Sequence, residues 1–175
     1  MIIGGAMANN FFKHQGFQVG KSKIEENIDS VIKNIIATAS KNNCKLVLPI
    51  DVVTAKTFED QGVNKTLDQV EDDEMILDIG IETIASISKI LQESKTVFWN
   101  GPFGFFEKDN FANGTKEISN TIADLTKQGK LVSIAGGGDT FAAIKKSKRE
   151  NEFTYISTAG AVSYTHLTLP TKRIV

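Results

Sequence analysis

The segment Leu131–Lys146, LVSIAGGGDTFAAIKK, sets three glycines and an aspartate between an apolar run and a helix-like run. Gly136, Gly137 and Gly138 let a ligand come close to the backbone. The start of a helix adds unpaired N–H groups and a partial positive charge, which together suit an anion. Asp139 needs a reason to be there. Two like charges about 4 Å apart cost roughly 4 kcal/mol at an effective dielectric near 20. Either a divalent cation bridges the carboxylate and a bound phosphate, or Asp139 or Thr140 is an ordinary helix cap. The segment lacks the lysine of a P-loop and does not read G-x-G-x-x-G.

A second stretch, WNGPFGFFE (Trp99–Glu107), carries more specific chemistry. Gly101 and Gly104 bracket Pro102, which fixes the turn and removes one backbone donor. Asn100 ends an apolar run and can point its amide at a phosphate. Phe103 and Phe105 offer aromatic surface, and Glu107 can accept hydrogen bonds from ribose hydroxyls. The plainer reading is a turn with hydrophobic cover and a surface carboxylate. Other chemistry is weakly marked. His14 and His166 have no cysteine or carboxylate at ligand spacing, so no zinc site is expected. Cys44 lacks an activating neighbour and reads as a buried structural thiol. Met7, Phe11 and Phe12 read as core.

The elements that must position these loops alternate. Apolar residues at Ile28, Val31, Ile32, Ile35, Ile36 and Ala39 recur at helical spacing, as do Ile81, Ile84, Ile87 and Leu91, and Ile118, Ile122 and Leu125. Strands are expected in CKLVLPIDVV, TVFW, LVSIA and FTYIS. QGVNKTLDQVEDDE reads as a polar surface loop with a solvated charge run. Helices alternating with apolar strands imply an α/β class, a Rossmann-like three-layer fold with a parallel sheet covered by helices on both faces. Ligands in such sheets bind beyond the carboxyl ends of the strands, so the glycine loops are expected to gather there.

The 175 residues, 41% hydrophobic and 23% charged, suit one soluble domain. A net charge of -1 gives no basic field for nucleic acid or a membrane surface. One cysteine excludes a disulfide framework. No membrane span or basic-flanked signal is visible, and a cytoplasmic monomer is expected. Met1 leads directly into Ile2, Ile3 and Gly4-Gly5, as if the chain opened inside a strand, so a fragment is expected.

Taken in order, IIGGAMANNFFKHQGFQVGKS, LPIDVVTA, LDIGIETI, TVFWNGPFGFFE, IAGGGDTFAAI and YISTAG resemble the nucleotide-binding, C-terminal half of phosphoglycerate kinase. The resemblance implies Mg-dependent phosphoryl transfer between 1,3-bisphosphoglycerate and ADP, giving 3-phosphoglycerate and ATP in glycolysis. It implies that Gly4 and Gly5 line the adenine pocket, Asn100 meets phosphate, Gly101, Pro102, Gly104 and Phe105 wall the nucleotide, and Glu107 holds the ribose. Gly137, Gly138, Asp139 and Thr140 would hold the nucleotide phosphates, with Asp139 on the Mg2+ that arrives with ADP or ATP. Gly137, Gly138 and Gly160 would supply N–H groups to the transferring phosphoryl. That answers the question raised by Asp139: the cation comes with the nucleotide.

This sequence departs from the family pattern at Ala6, Ala159 and Ala161, and after Val162. Residues 1–161 are expected to form the nucleotide-binding domain, incomplete at its start, and 162–175 a tail outside the fold. The phosphoglycerate would need a basic domain that is missing, so the chain alone is expected to be inactive. A non-catalytic Mg-nucleotide module is the alternative reading. A nicotinamide-dependent dehydrogenase is disfavoured by the missing glycine fingerprint.

Overall fold

The computed structural model describes residues 1–157. The elements run α1 (Gly5–His14), α2 (Asp29–Lys41), β1 (Asp51–Ala55), β2 (Val63–Thr66), β3 (Met75–Ile79), α3 (Ile81–Glu93) and β4 (Thr96–Asn100). They continue with α4 (Asn113–Lys127), β5 (Val132–Gly136), α5 (Gly138–Lys146) and β6 (Tyr155–Ser157). The class is α/β with a parallel sheet flanked by helices, as the alternation of patterns implies. The expected tail 162–175, and Ala159, Gly160 and Ala161, lie outside the described residues. Among the described residues two compact units form: Met1–Ile87 with Phe103–Gly114, and Ser88–Pro102 with 115–157.

In the first unit, α1 starts at the extended Gly4 and places Ala8, Phe11 and Phe12 on one face, all buried. Met7 falls on the opposite face and is 61% exposed, so it is not core. In α2, Ile32 and Ala39 are buried and Ile28 and Ile35 pack against the core. Val31 and Ile36 stay exposed, because the apolar stripe is wider than the surface that covers it. Cys44 is exposed rather than buried. It follows the turn at Asn42–Asn43, where Asn43 has φ 53° and the Cys44 N–H returns to Ala39 O at 2.8 Å.

The sheet of this unit is antiparallel, in the order β2-β1-β3, where the sequence suggested parallel strands. The strand expected across CKLVLPIDVV is short. Pro49 precedes it, and Val47 makes only an isolated parallel bridge to Ile2. β2 lies inside the segment expected to be a loop. As an edge strand it needs only backbone pairing to β1, so its polar side chains hid it. Nor is the following charge run all solvated, since Glu74 is buried and accepts from Lys65 Nζ at 2.8 and 3.0 Å.

Asp51 joins three elements of this unit. Its buried carboxylate accepts from the Glu82 and Thr83 N–H groups at 3.0 and 2.8 Å, and from Thr83 Oγ1 and Asn64 Nδ2 at 2.6 and 3.1 Å. The first turn of α3 is thereby capped from β1, with β2 tied in through Asn64. Burial pushes the Asp51 pKa up, but the bonds from Thr83, Glu82 and Asn64 outweigh it and leave the group below its usual value.

In the second unit β4, β5 and β6 are parallel, with Thr96 opposite Val132 and Asn100 opposite Gly136, and Gly136 opposite Ser157. Trp99, Ser133 and Ala135 are buried on one face. Ile118, Ile122 and Leu125 of α4 and Ala143 and Ile144 of α5 are also buried, matching the stripe read for α4. On the other face Phe98, Val132 and Tyr155 remain exposed. Trp99 stacks on Phe153 with centroids 6.3 Å apart, and its Nε1 donates to Gly101 O at 2.8 Å.

Replacing Asp51 with alanine leaves several buried donors without an acceptor, and is expected to cost about 3 kcal/mol. Urea denaturation followed by circular dichroism checks this, and a loss below about 0.5 kcal/mol, the level of an ordinary surface change, would mean α3 is anchored elsewhere.

Candidate functional site

The residues singled out in the sequence fall into two groups, one in each unit. The division runs through WNGPFGFFE, between Pro102 and Phe103.

The second unit holds the anion-binding group. Parallel register aligns the carboxyl ends of its strands at Asn100, Gly136 and Ser157. Beyond Asn100 the chain turns at Gly101, with φ 97°, and beyond Gly136 it turns at Gly137, with φ 96°. Gly137 donates its N–H to Ser157 O at 3.1 Å, and a β-carbon there would stand 2.8 Å from Asn100 Oδ1. Both the positive φ and the close approach require glycine at Gly137. Gly137 is also the N-cap of α5, and no side chain caps that helix.

Asp139 therefore does not cap α5. It lies exposed in the first turn, beside the uncapped N–H groups. Thr140 is buried, and its Oγ1 accepts the Gly101 N–H at 2.7 Å, which holds the Asn100–Gly101 turn against the start of α5. Gly138 is exposed at the same end. No group of three or more metal-ligating side chains occurs among the described residues. One exposed carboxylate fits a Mg2+ whose other ligands are phosphate oxygens and water, and does not fit a resident metal.

The first unit holds Gly4, Gly5, Phe103, Gly104, Phe105 and Glu107. Gly4 and Gly5 start α1 without a side-chain cap. The Phe103 ring lies on Gly4, where a β-carbon would be 2.5 Å from Cδ1. Phe105 packs on Phe58 with centroids 4.9 Å apart, and its N–H donates to Leu77 O at 2.8 Å. Glu107 is exposed on the same loop. Gly160 lies outside the described residues.

One buried group here was missed in the sequence. Asp78, 2% exposed on β3, accepts from the Ile79 N–H at 2.9 Å and the Gly114 N–H at 2.7 Å. Burial dominates these two bonds and lifts its pKa from 3.8 to about 7. The available signal was LDIG followed at a distance by Gly104 and Gly114, glycines whose added β-carbons would overlap this carboxylate.

The sequence pattern described as Phosphoglycerate kinase matches residues 1–168. The chain belongs to the phosphoglycerate kinase family. It is 45% identical over 162 residues to the phosphoglycerate kinase of Wolbachia pipientis subsp. Culex pipiens (strain wPip), and equally close to that of Zymomonas mobilis. Each match covers 91% of this chain and 41% of the relative, so the chain spans less than half the length of these phosphoglycerate kinases. The solved phosphoglycerate kinase of Coxiella burnetii is similar at a TM-score of 0.85 and 36% identity, covering 91% of this chain and 41% of that one. That of Pyrococcus horikoshii follows at 0.66 and 28%, covering 91% and 40%.

Two outcomes are expected from this geometry. Thr140→Val removes the acceptor for Gly101 N–H and should cost about 1 kcal/mol. It should also shift the emission of Trp99, whose indole is bonded to Gly101 O; unchanged emission would mean the turn is held without Thr140. For Asp78, the folded chain keeps a proton that the unfolded chain loses between its ordinary pKa of 3.8 and about 7. Its contribution to stability is therefore full below about pH 4 and declines as pH rises through about 7, by up to roughly 4 kcal/mol. Urea midpoints at a series of pH values should show that decline in the parent and its removal in Asp78→Asn.

Proposed function

We propose that this chain is the nucleotide-binding part of a phosphoglycerate kinase and binds ADP and ATP together with Mg2+. The observation that carries the reading is at α5. A helix start with no side-chain cap faces outward at the aligned ends of three parallel strands, with an exposed aspartate in its first turn. A bare aspartate would repel phosphate, and Mg2+ carried by the nucleotide removes that repulsion.

In the proposed roles, the Gly138 N–H and the Asn100 amide meet the phosphate oxygens. Gly137, expected from the sequence to donate as well, has its N–H taken by Ser157 O and contributes the close backbone approach instead. Asp139 would hold the Mg2+, which supplies charge neutralisation when bound. Thr140 keeps the Asn100–Gly101 turn in place. The Gly4–Gly5 segment, with Phe103 and Phe105, takes the adenine, and Glu107 accepts the ribose hydroxyls. The family's reaction moves a phosphoryl group between 1,3-bisphosphoglycerate and ADP, mainly through positioning and electrostatics. This chain's share is the nucleotide, and holding the phosphoglycerate is assigned to the part of its relatives outside the matched span. No helix among the described residues is long and apolar enough to cross a membrane, and we place the reaction in the cytoplasm.

Calorimetry with ADP tests the reading. Affinity is expected to rise with Mg2+ in the parent. Asp139→Ala should lose most of that gain while keeping adenosine binding. Glu107→Ala should weaken ADP about tenfold, the loss of roughly one charge-assisted bond, and spare adenine base. Equal ADP affinity with and without Mg2+ in the parent would remove the metal role.

A further inference from the structure

Asp78, on β3, carries none of the roles assigned above, yet it closes the loop that carries several of those residues. Residues 104–114 leave β3 and come back to it. Near one end the Phe105 N–H bonds Leu77 O at 2.8 Å. At the other, the Gly114 N–H bonds Asp78 Oδ2 at 2.7 Å. Both ends meet at the Asp78 carboxylate, because an added β-carbon on either Gly104 or Gly114 would overlap it. Within the loop Phe106 and Phe111 are buried, and Lys108 N–H bonds Phe105 O at 3.1 Å while Phe111 N–H bonds Lys108 O at 3.0 Å. The loop is thus internally tied and behaves as one piece, and Glu107 projects from it.

We infer that Asp78 is a positioning residue for nucleoside binding, which fixes where Phe105 and Glu107 stand by clasping Gly104 and Gly114 together. The inference rests on the nucleotide reading proposed above. The carboxylate suits the task because both of its donors are backbone N–H groups. An asparagine keeps the shape but can accept through only one oxygen, so its NH2 must face one of these donors. Either the Gly114 N–H or the Ile79 N–H then loses its acceptor, and the side chain that sits against Gly104 and Gly114 is no longer held from both sides. The phosphate end is built from Asn100, Gly137 and Thr140, which belong to the other unit.

The test compares the 175-residue chain with Asp78→Asn and Gly114→Ala. The second variant pushes the carboxylate aside and leaves Asp78 itself intact. Amide hydrogen exchange is read at Phe105 and Gly114, with Val52 in β1 as an internal reference. Adenosine and inorganic tripolyphosphate with Mg2+ are titrated separately. In both variants, exchange at Phe105 and Gly114 is expected to quicken about tenfold against Val52, and adenosine to bind about tenfold more weakly, the loss of roughly one buried bond. Tripolyphosphate is expected to stay within about twofold, since a merely global loss of stability would weaken both ligands together. Unchanged exchange, or unchanged adenosine affinity despite faster exchange, overturns the inference. So does an equal loss for both ligands. A failure of the nucleotide reading itself shows in the parent's own adenosine titration, before any variant is compared, and removes the nucleoside role with it.

Discussion

The first unit depends on carboxylates taken out of water and paid in backbone N–H groups. A buried aspartate costs several kcal/mol unless donors surround it, and donors at a helix start have no partner inside their own helix. Asp51 and Asp78 resolve this shortage in two ways. Asp51 gathers enough donors to stay ionised below its usual pKa, whereas burial overrides the two donors of Asp78 and raises its pKa to about 7. One is a firm anchor for α3. The other holds a loop while its charge titrates near neutrality, so neighbouring strands of a single sheet carry carboxylates with opposite pH behaviour.

Periodicity made α2, α3 and α4 legible, while α1 was not read as a helix. α4 packs through Ile118, Ile122 and Leu125, and α2 through Ile32 and Ala39, as their spacing required. The parallel sheet was legible too, since TVFW, LVSIA and FTYIS became β4, β5 and β6. What stayed hidden has a common cause, which is that side-chain pattern reports burial and not backbone pairing. β2 is polar and exposed because its register with β1 is set by main-chain bonds and by Asn64 reaching Asp51. Met7 and Cys44 read as core from residue type alone, but a helix face and a turn decide their exposure.

The candidate site was legible where the chain needs an unusual backbone. GGGDT and WNGPFG announce turns of positive φ, and Gly137 and Gly101 adopt them. Sequence left open whether Asp139 and Thr140 were caps, and geometry separates their tasks. Asp139 caps nothing and stays exposed, while Thr140 is buried and works on the neighbouring turn. Asp78 escaped notice because its partners, Gly104 and Gly114, are glycines, and a glycine required by close approach looks the same in sequence as one required by a turn.

The chain has one cysteine and one tryptophan, and they fall in different units. Cys44 is exposed in the first, and Trp99 is buried against Phe153 in the second. A maleimide dye can therefore be attached at Cys44 without engineering, while the indole reports natively from the parallel sheet. Melting followed at the two wavelengths separates the cooperativity of one unit from that of the other. Coincident curves identify a single cooperative transition, and displaced curves an intermediate with one unit folded.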